Sequence, residues 1–242
     1  ALNSGLPVTM VERDQESLER GIENVKKVYR RDVEKGRLSQ EKADKILSNY
    51  STSTHLKDLS DKDMIIEAVF EELEVKKSVF SQLNDIAKEG AVLASNTSYL
   101  DIDKIASATD RVGDVIGLHF FSPANIMRLL EIVVPTNVKD DVVATGFQLA
   151  KILKKVPVRA GNCDGFIGNR VLENYAKAAN YMMEDGTSPY DIDKAIVEFG
   201  YPMGPFQMFD LAGGDIGWAD RKRKAAFRSN EERYVSIADR IC

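Results

Sequence analysis

The sequence has only two histidines, His55 and His119, and two cysteines, Cys163 and Cys242, among 242 residues. Cysteines so far apart make neither a metal spacing nor a disulfide framework, and two histidines do not build a His-based metal site. Zinc and iron chemistry are set aside, no metal is expected, and the thiols fit a reducing compartment. No apolar run approaches the ~20 residues that cross a bilayer, and the first residues lack the charged-then-apolar order of a signal peptide. Basic charge is not in excess either. The net charge is −5, which provides no field for nucleic acid or an anionic membrane. Low-complexity segments, internal repeats and the glycine-rich turn G-x-G-x-x-G, which cradles phosphates in many α/β proteins, are all missing.

What is present is an ordinary share of hydrophobic residues, 43%, enough for a full core. ALNSG, residues 1–5, reads as the last turn of a helix closed by Gly5, with its beginning upstream of the sequence. Residues 6–12 (LPVTMVE) read as a buried strand ending in an acid. Asp14 then caps a helix with Leu18, Ile22, Val25 and Tyr29 on one face, which should stop near Gly36. Ser39 caps a second helix from Gln40, and SNYSTST leads into a short strand.

Residues 63–69 (DMIIEAV) are the next strand, and the helical pattern over 71–88 turns Leu73, Phe80, Leu83 and Ala87 inward. Residues 91–95 form another strand, Asn96-Thr97-Ser98 a loop, 101–107 a short helix, and Val115–Phe120 a further strand. This alternation is the signature of a mostly parallel, doubly wound sheet covered on both faces. Ligands of such sheets bind at the carboxyl ends of the strands. Glu12, Glu71, Ser98 and His119 lie at or just after such ends. After a helix over 141–155 and a last strand over 156–160, only helical patterns remain: 166–184, 189–199 and a short helix opened by Pro205. The expected fold is therefore α/β and Rossmann-like over residues 1–160, followed by an all-α domain over 161–242.

The chain is organised around IGLHFFSPANIMRLLEIVV, residues 116–134. Two runs rich in Val, Ile, Leu and Phe flank a polar, Pro-containing connector. If they fold back about Asn125, His119 and Glu131 stand equally far from the bend and face each other. Imidazole changes protonation near neutral pH, and a carboxylate beside it orients the ring and stabilises its charged form. A histidine in an apolar strand is also a common core residue, so both readings stand at this point. The other candidates carry paired readings too. Glu12 suits the adenosine ribose, where a carboxylate disfavours a 2′-phosphate, or is an exposed acid entering a loop. Ser98 hydrogen-bonds a substrate oxygen or caps a helix. Asn169, after the GNCDGFIGN segment, points an amide into a cleft or caps a turn. The stripe Leu172, Ala176, Ala179 and Met183 reads as core or subunit interface, and the basic run DRKRKAAFR, 220–228, as a solvated segment.

Six ordered segments carry a resemblance: VTMVERD, EAVFEELEVKKSVF, LASNTSYL, GLHFFSPANIMRLLEIV, GNCDGFIGNR and YPMGPFQMFDLAGGDIGW. Together they resemble the dehydrogenase part of the 3-hydroxyacyl-CoA dehydrogenases, in the version fused to an enoyl-CoA hydratase in fatty-acid β-oxidation. The resemblance implies that His119 is the catalytic base and Glu131 its acidic partner, with Ser98 and Asn169 around the substrate's 3-oxygen. It implies NAD as cofactor, with Glu12 at the ribose and Glu71, Lys76 and Ser98 beside it. Ser122 stands where the stand-alone enzymes usually carry Asn and the fused ones Ser. The implied reaction is oxidation of (S)-3-hydroxyacyl-CoA to 3-oxoacyl-CoA. The chain then reads as a fragment, with the first strand and glycine-rich turn before Ala1. Expected partners are an acyl-CoA substrate and either a second copy in a homodimer or, within a longer protein, a second helical module and a hydratase domain. A bacterial cytoplasm is expected, with peroxisome or mitochondrial matrix as alternatives. Two other readings are a 3-hydroxybutyryl-CoA or other hydroxy-acid dehydrogenase, and a non-catalytic assembly module.

Overall fold

The computed structural model describes every residue except 230, 232, 241 and 242, and for Asp215 and Ile216 the backbone alone. Cys242 lies outside the described residues. Five strands, β3 (Met64–Glu67), β4 (Val92–Ser95), β5 (Val115–Phe120), β6 (Leu129–Val134) and β7 (Val156–Gly161), form one sheet in sequence order. Neighbours are parallel except β5 and β6. Side chains alternate along each strand, so Ile65, Leu93, Val115, Val133 and Ala160 cluster together with Phe80 and Leu83 of α3 (Leu73–Ile86) and Ile102 and Ile105 of α4 (Ile102–Ala106). Val92, Ala94, Ile116, Leu118 and Ile132 cluster with Val142, Val143 and Ala150 of α5 (Asp140–Ile152). Both faces of the sheet are covered, which is why these strands read as continuous apolar runs. Each fully buried Leu, Ile or Phe in the two layers contributes ~1.5–3 kcal/mol.

The remaining strands, β1 (Val8–Val11) and β2 (Tyr50–Ser53), form a separate parallel pair, linked through α1 (Gln15–Glu34) and α2 (Gln40–Leu47). Apolar patterning predicts one sheet, whereas the hydrogen bonding divides it in two. Side-chain pattern identifies strands and faces but carries no record of which edges bond. Local chemistry sets the ends of these elements as expected. Asp14 accepts a hydrogen bond from Ser17 N at 2.7 Å and Ser39 from Lys42 N at 3.3 Å. Gly5 closes a 3-10 turn, Leu2–Ser4, at φ 78°, a conformation that costs glycine nothing.

The helical part comprises α6 (Gly168–Glu184), α7 (Pro189–Phe199), α8 (Pro205–Ala212) and α9 (Asp215–Ala225). Pro189 and Pro205 open their helices, where a missing N–H is no loss. The buried carboxylate of Asp193 accepts from Phe206 N and Gln207 N, tying α7 to the start of α8. Along α6, Ala179 is buried and Leu172, Ala176 and Met183 are half-buried. The basic run departs from the expected solvated segment. Arg223 reaches Asp164 at 2.7 Å and Asp220 at 2.5 Å, Lys224 reaches Asp220 at 3.1 Å and Glu173 at 3.4 Å, and Arg221 reaches Asp239 at 2.6 Å. Asp220 is a neighbour on the same helix, whereas Asp164, Glu173 and Asp239 are distant in sequence and only the fold brings them close.

Candidate active site

The layer formed by β3, β4, β5 and α3 is apolar at one end and polar at the other. Ile65, Leu93 and Val115 occupy the apolar end in register. Two residues on, the same parity places Glu67 opposite Ser95, and further along His119 opposite Glu131. All four are buried, Ser95 at 0% and Glu131 at 1% exposure. Polar side chains at the carboxyl ends of β3, β4 and β5, joined by Glu131 near the start of antiparallel β6, stand on a face otherwise filled with Leu, Ile and Phe and mark the ligand end of such a sheet.

The antiparallel turn-back of β5 onto β6 brings His119 Nδ1 to 2.7 Å from Glu131 Oε2. The other oxygen, Oε1, accepts from Ile167 N at 2.9 Å and Gly168 N at 2.8 Å at the start of α6. Burial pushes the Glu131 carboxyl up, but the hydrogen bonds from His119, Gly168 and Ile167 outweigh it and hold the group below its ordinary value. An ionised Glu131 can only accept, so Nδ1 carries a proton, and in the neutral ring it is Nε2 that presents the lone pair. The ring is flanked by Phe121 at 4.4 Å and Phe166 at 5.6 Å between centroids. Phe166 adopts φ 48°, a positive value uncommon outside glycine, so the expected helix from 166 begins instead at Gly168. A Cβ on Gly168 would lie 2.6 Å from the Phe121 ring, so only glycine fits between that ring and the Glu131 carboxylate.

Asn169, next in α6, donates from Nδ2 to the carbonyl of Ser98 at 3.1 Å. Ser98 N in turn donates to Glu71 Oε1 at 2.8 Å, which also accepts from Thr97 Oγ1 at 2.5 Å and Tyr99 N at 3.1 Å. Lys76 Nζ lies 3.4 Å from Glu71 Oε2 and 2.7 Å from Glu67 Oε1. His119 and Glu131 are thus linked through the backbone of residues 167–169 to Asn169, Ser98, Glu71 and Lys76, a series spanning both parts of the chain. Glu12 stands apart, half-buried after β1 on the two-stranded sheet, its amide donating to Ser53 O at 3.1 Å. Ser122 lies in an exposed connector whose Ala124 and Met127 carbonyls are held by Lys155.

Sequence reading missed Glu67, Ser95 and Thr97, and the backbone amides of Ile167 and Gly168. The signal for Glu67 was its parity with Ile65 in a buried strand. Lys76 was equally legible as a charge in the inward stripe Leu73, Lys76, Phe80, Leu83. Among the described residues no three His, Cys, Asp or Glu side chains converge to hold a metal ion. Glu12 after β1 and the exposed Val69 and Phe70 after β3 fit the ribose hydroxyls and a flat apolar ring of a dinucleotide at strand ends.

The chain thus joins a doubly wound α/β unit, which carries a buried His–Glu pair, to a following helical unit. Residues 1–163 match the family described as 3-hydroxyacyl-CoA dehydrogenase, NAD binding domain, and residues 165–242 match 3-hydroxyacyl-CoA dehydrogenase, C-terminal domain. The chain therefore belongs to the 3-hydroxyacyl-CoA dehydrogenase family, and its first unit is that family's NAD-binding domain. It is 41% identical to the peroxisomal bifunctional enzyme of Cavia porcellus over 98% of this chain and 34% of that protein. The chain spans about a third of the length of such curated relatives. Among solved structures, FadB2 of M. tuberculosis superposes with a TM-score of 0.93 at 33% identity, covering 99% of this chain and 86% of that one. The 3-hydroxybutyryl-CoA dehydrogenase of Escherichia coli follows with a TM-score of 0.88 at 32% identity, covering 99% and 52%.

Proposed function

We propose that this chain carries out the NAD-dependent oxidation of (S)-3-hydroxyacyl-CoA to 3-oxoacyl-CoA in fatty-acid β-oxidation, with His119 as general base. The carrying observation is the buried His119–Glu131 pair at 2.7 Å, in a member of this family. His119 Nε2 takes the hydroxyl proton of the substrate, and Glu131 stabilises the resulting imidazolium. Ser98 and Asn169 hold the 3-oxygen as its charge changes. NAD, held by Glu12, Glu71 and Lys76, would supply the acceptor for the hydride of the same carbon. Glu12 binds the adenosine ribose and favours NAD over NADP, and Glu71 and Lys76 lie beside the cofactor. Burial of the His119 ring between Phe121 and Phe166 excludes water from the proton transfer.

The peroxisomal character of the Cavia porcellus relative supports the peroxisome, an alternative the sequence leaves open, over a bacterial cytoplasm. The length of such relatives supports intramolecular pairing with a second helical module and a hydratase domain over a simple homodimer. A short-chain 3-hydroxybutyryl-CoA substrate is a second reading, supported by the likeness to the Escherichia coli enzyme. The test is NADH-dependent reduction of acetoacetyl-CoA, a chain-length series of 3-oxoacyl-CoA thioesters and free hydroxy acids, run on the intact wild-type protein and on His119→Gln. Loss of turnover in a folded His119→Gln variant is expected. Near-normal turnover would sink the base assignment, and a preference for free acids would sink the substrate.

A further inference from the structure

We propose that Glu67 and Lys76 are positioning residues for the substrate-oxygen site, a buried ion pair that acts through Glu71 to fix the backbone of Ser98. The proposal rests on the reading of Ser98 and Asn169 given above. Lys76 occupies the inward stripe of α3 with Phe80 and Leu83, and its side chain is 1% exposed. A hydrophobic residue of similar volume would fill such a position at lower cost than a charge that must be desolvated. The lysine is therefore poorly explained by packing.

An ammonium has three N–H donors. Those of Lys76 face Glu67 Oε1 at 2.7 Å, Val69 O at 3.3 Å and Glu71 Oε2 at 3.4 Å. All three are engaged within the protein, so the charge of Lys76 is passed on through its neighbours. Glu67 is anchored on the sheet itself: Oε1 also accepts from Val69 N at 2.7 Å and Oε2 from Ser95 Oγ at 2.8 Å, at the ends of β3 and β4. Glu71 is the movable partner, its side chain 16% exposed against 1% for Glu67. Its Oε1 gathers Thr97 Oγ1, Ser98 N and Tyr99 N, and Ser98 O then receives Asn169 Nδ2.

The order of dependence runs from the sheet to Glu67, then to Lys76, Glu71, Ser98 and Asn169. Without the ammonium, Glu71 loses the cation that holds its Oε2 at 3.4 Å. Glu71, nearer to solvent, turns outward and releases the amides of 98 and 99. Ser98 and Asn169 then lose the shared geometry that holds the substrate oxygen.

The experiment compares the intact wild-type protein with Lys76→Met and with Glu67→Gln/Lys76→Met, which removes both buried charges at nearly constant shape. Thermal stability falls in the single variant and returns in the double one. The kcat for acetoacetyl-CoA reduction is expected to fall about 10²-fold in both, the scale of a small misplacement. Hydrogen exchange at the amides of Ser98 and Tyr99 accelerates in both. A double variant with wild-type kcat and wild-type amide protection overturns the proposal, because the pair is then only structural. So does normal kcat with weakened NADH binding, which would confine the role of Lys76 to the cofactor. If the wild-type protein reduces no 3-oxoacyl-CoA, the reaction assignment fails alone, and amide exchange still decides whether Lys76 fixes Ser98.

Discussion

Replacing Glu131 by Gln tests whether the carboxylate works by fixing the tautomer of His119. The glutamine has one oxygen where the wild type has two, and two demands remain: the N–H groups of Ile167 and Gly168 on one side, His119 Nδ1 on the other. Turning the oxygen toward His119 would leave two buried N–H donors facing an NH₂ group, at ~1–3 kcal/mol each. The oxygen therefore stays with the backbone, and the NH₂ group faces Nδ1, which must now accept. The proton moves to Nε2, and the ring can no longer serve as a base. Restoring the productive tautomer costs about 2–6 kcal/mol on this reckoning, which is a loss of about 10–10⁴ in kcat. The assay is NAD-dependent oxidation of 3-hydroxybutyryl-CoA at saturating substrate, with folding checked by thermal melting. A folded variant that keeps wild-type kcat would refute the reasoning. The same substitution probes stability against pH. The native Glu131 carboxyl lies below its ordinary value, so its contribution is complete above the unfolded value of ~4.3 and declines as pH falls from there through the folded one. Glu131→Gln should flatten that part of the acid limb, and an unchanged limb would contradict the shift.

Two further substitutions extend these tests. Gly168→Ala places a Cβ 2.6 Å from the Phe121 ring and 3.7 Å from Glu131 Oε1, so it should lower stability by ~1–3 kcal/mol through overpacking and depress kcat. A variant with both intact in melting and turnover assays would show that the ring can yield freely. Burial first, then the charges of Asp220, Glu173, Asp164 and Glu71, push the Tyr99 hydroxyl up to about 12. Subtracting the tyrosinate absorbance titration of Tyr99→Phe from that of the wild type should show this ionisation. The folded form holds the proton more tightly than the unfolded one, so the corresponding stability is complete below the unfolded value of ~10 and lost as pH rises through 12. A Tyr99 that ionises near the unfolded value would indicate that the 98–99 loop opens.

Much of the fold was legible in the residues. Asp14 and Ser39 begin helices, Gly36 follows the first of them, Gly5 closes the turn before β1, and the runs at 92–95, 115–120 and 129–134 were recognisable as strands. These features depend on groups a few residues apart, whose preferences survive in any context. The facing of His119 and Glu131 was also within reach, since a single reversal of the chain between two strands sets their register. Their companions were harder to see. Glu71 meets Ser98 across 27 positions and Asn169 meets Ser98 across 71, and no local pattern encodes an approach over such separations.

The sequence by itself determined the strands, most of the helices and their apolar faces, and made the pairing of one histidine with one carboxylate follow from a single reversal of the chain. Only the tertiary structure decided that β1 and β2 bond apart from the other five strands, that the basic run of α9 docks on Asp164 and Glu173, and that Glu67 and Lys76 sit behind Glu71. The physical reason is that burial patterns depend on side chains and their period, which are written along the chain. Edge pairing and buried charge networks depend on which backbone groups and counter-charges folding brings within ~3 Å, and that is a property of the assembled fold.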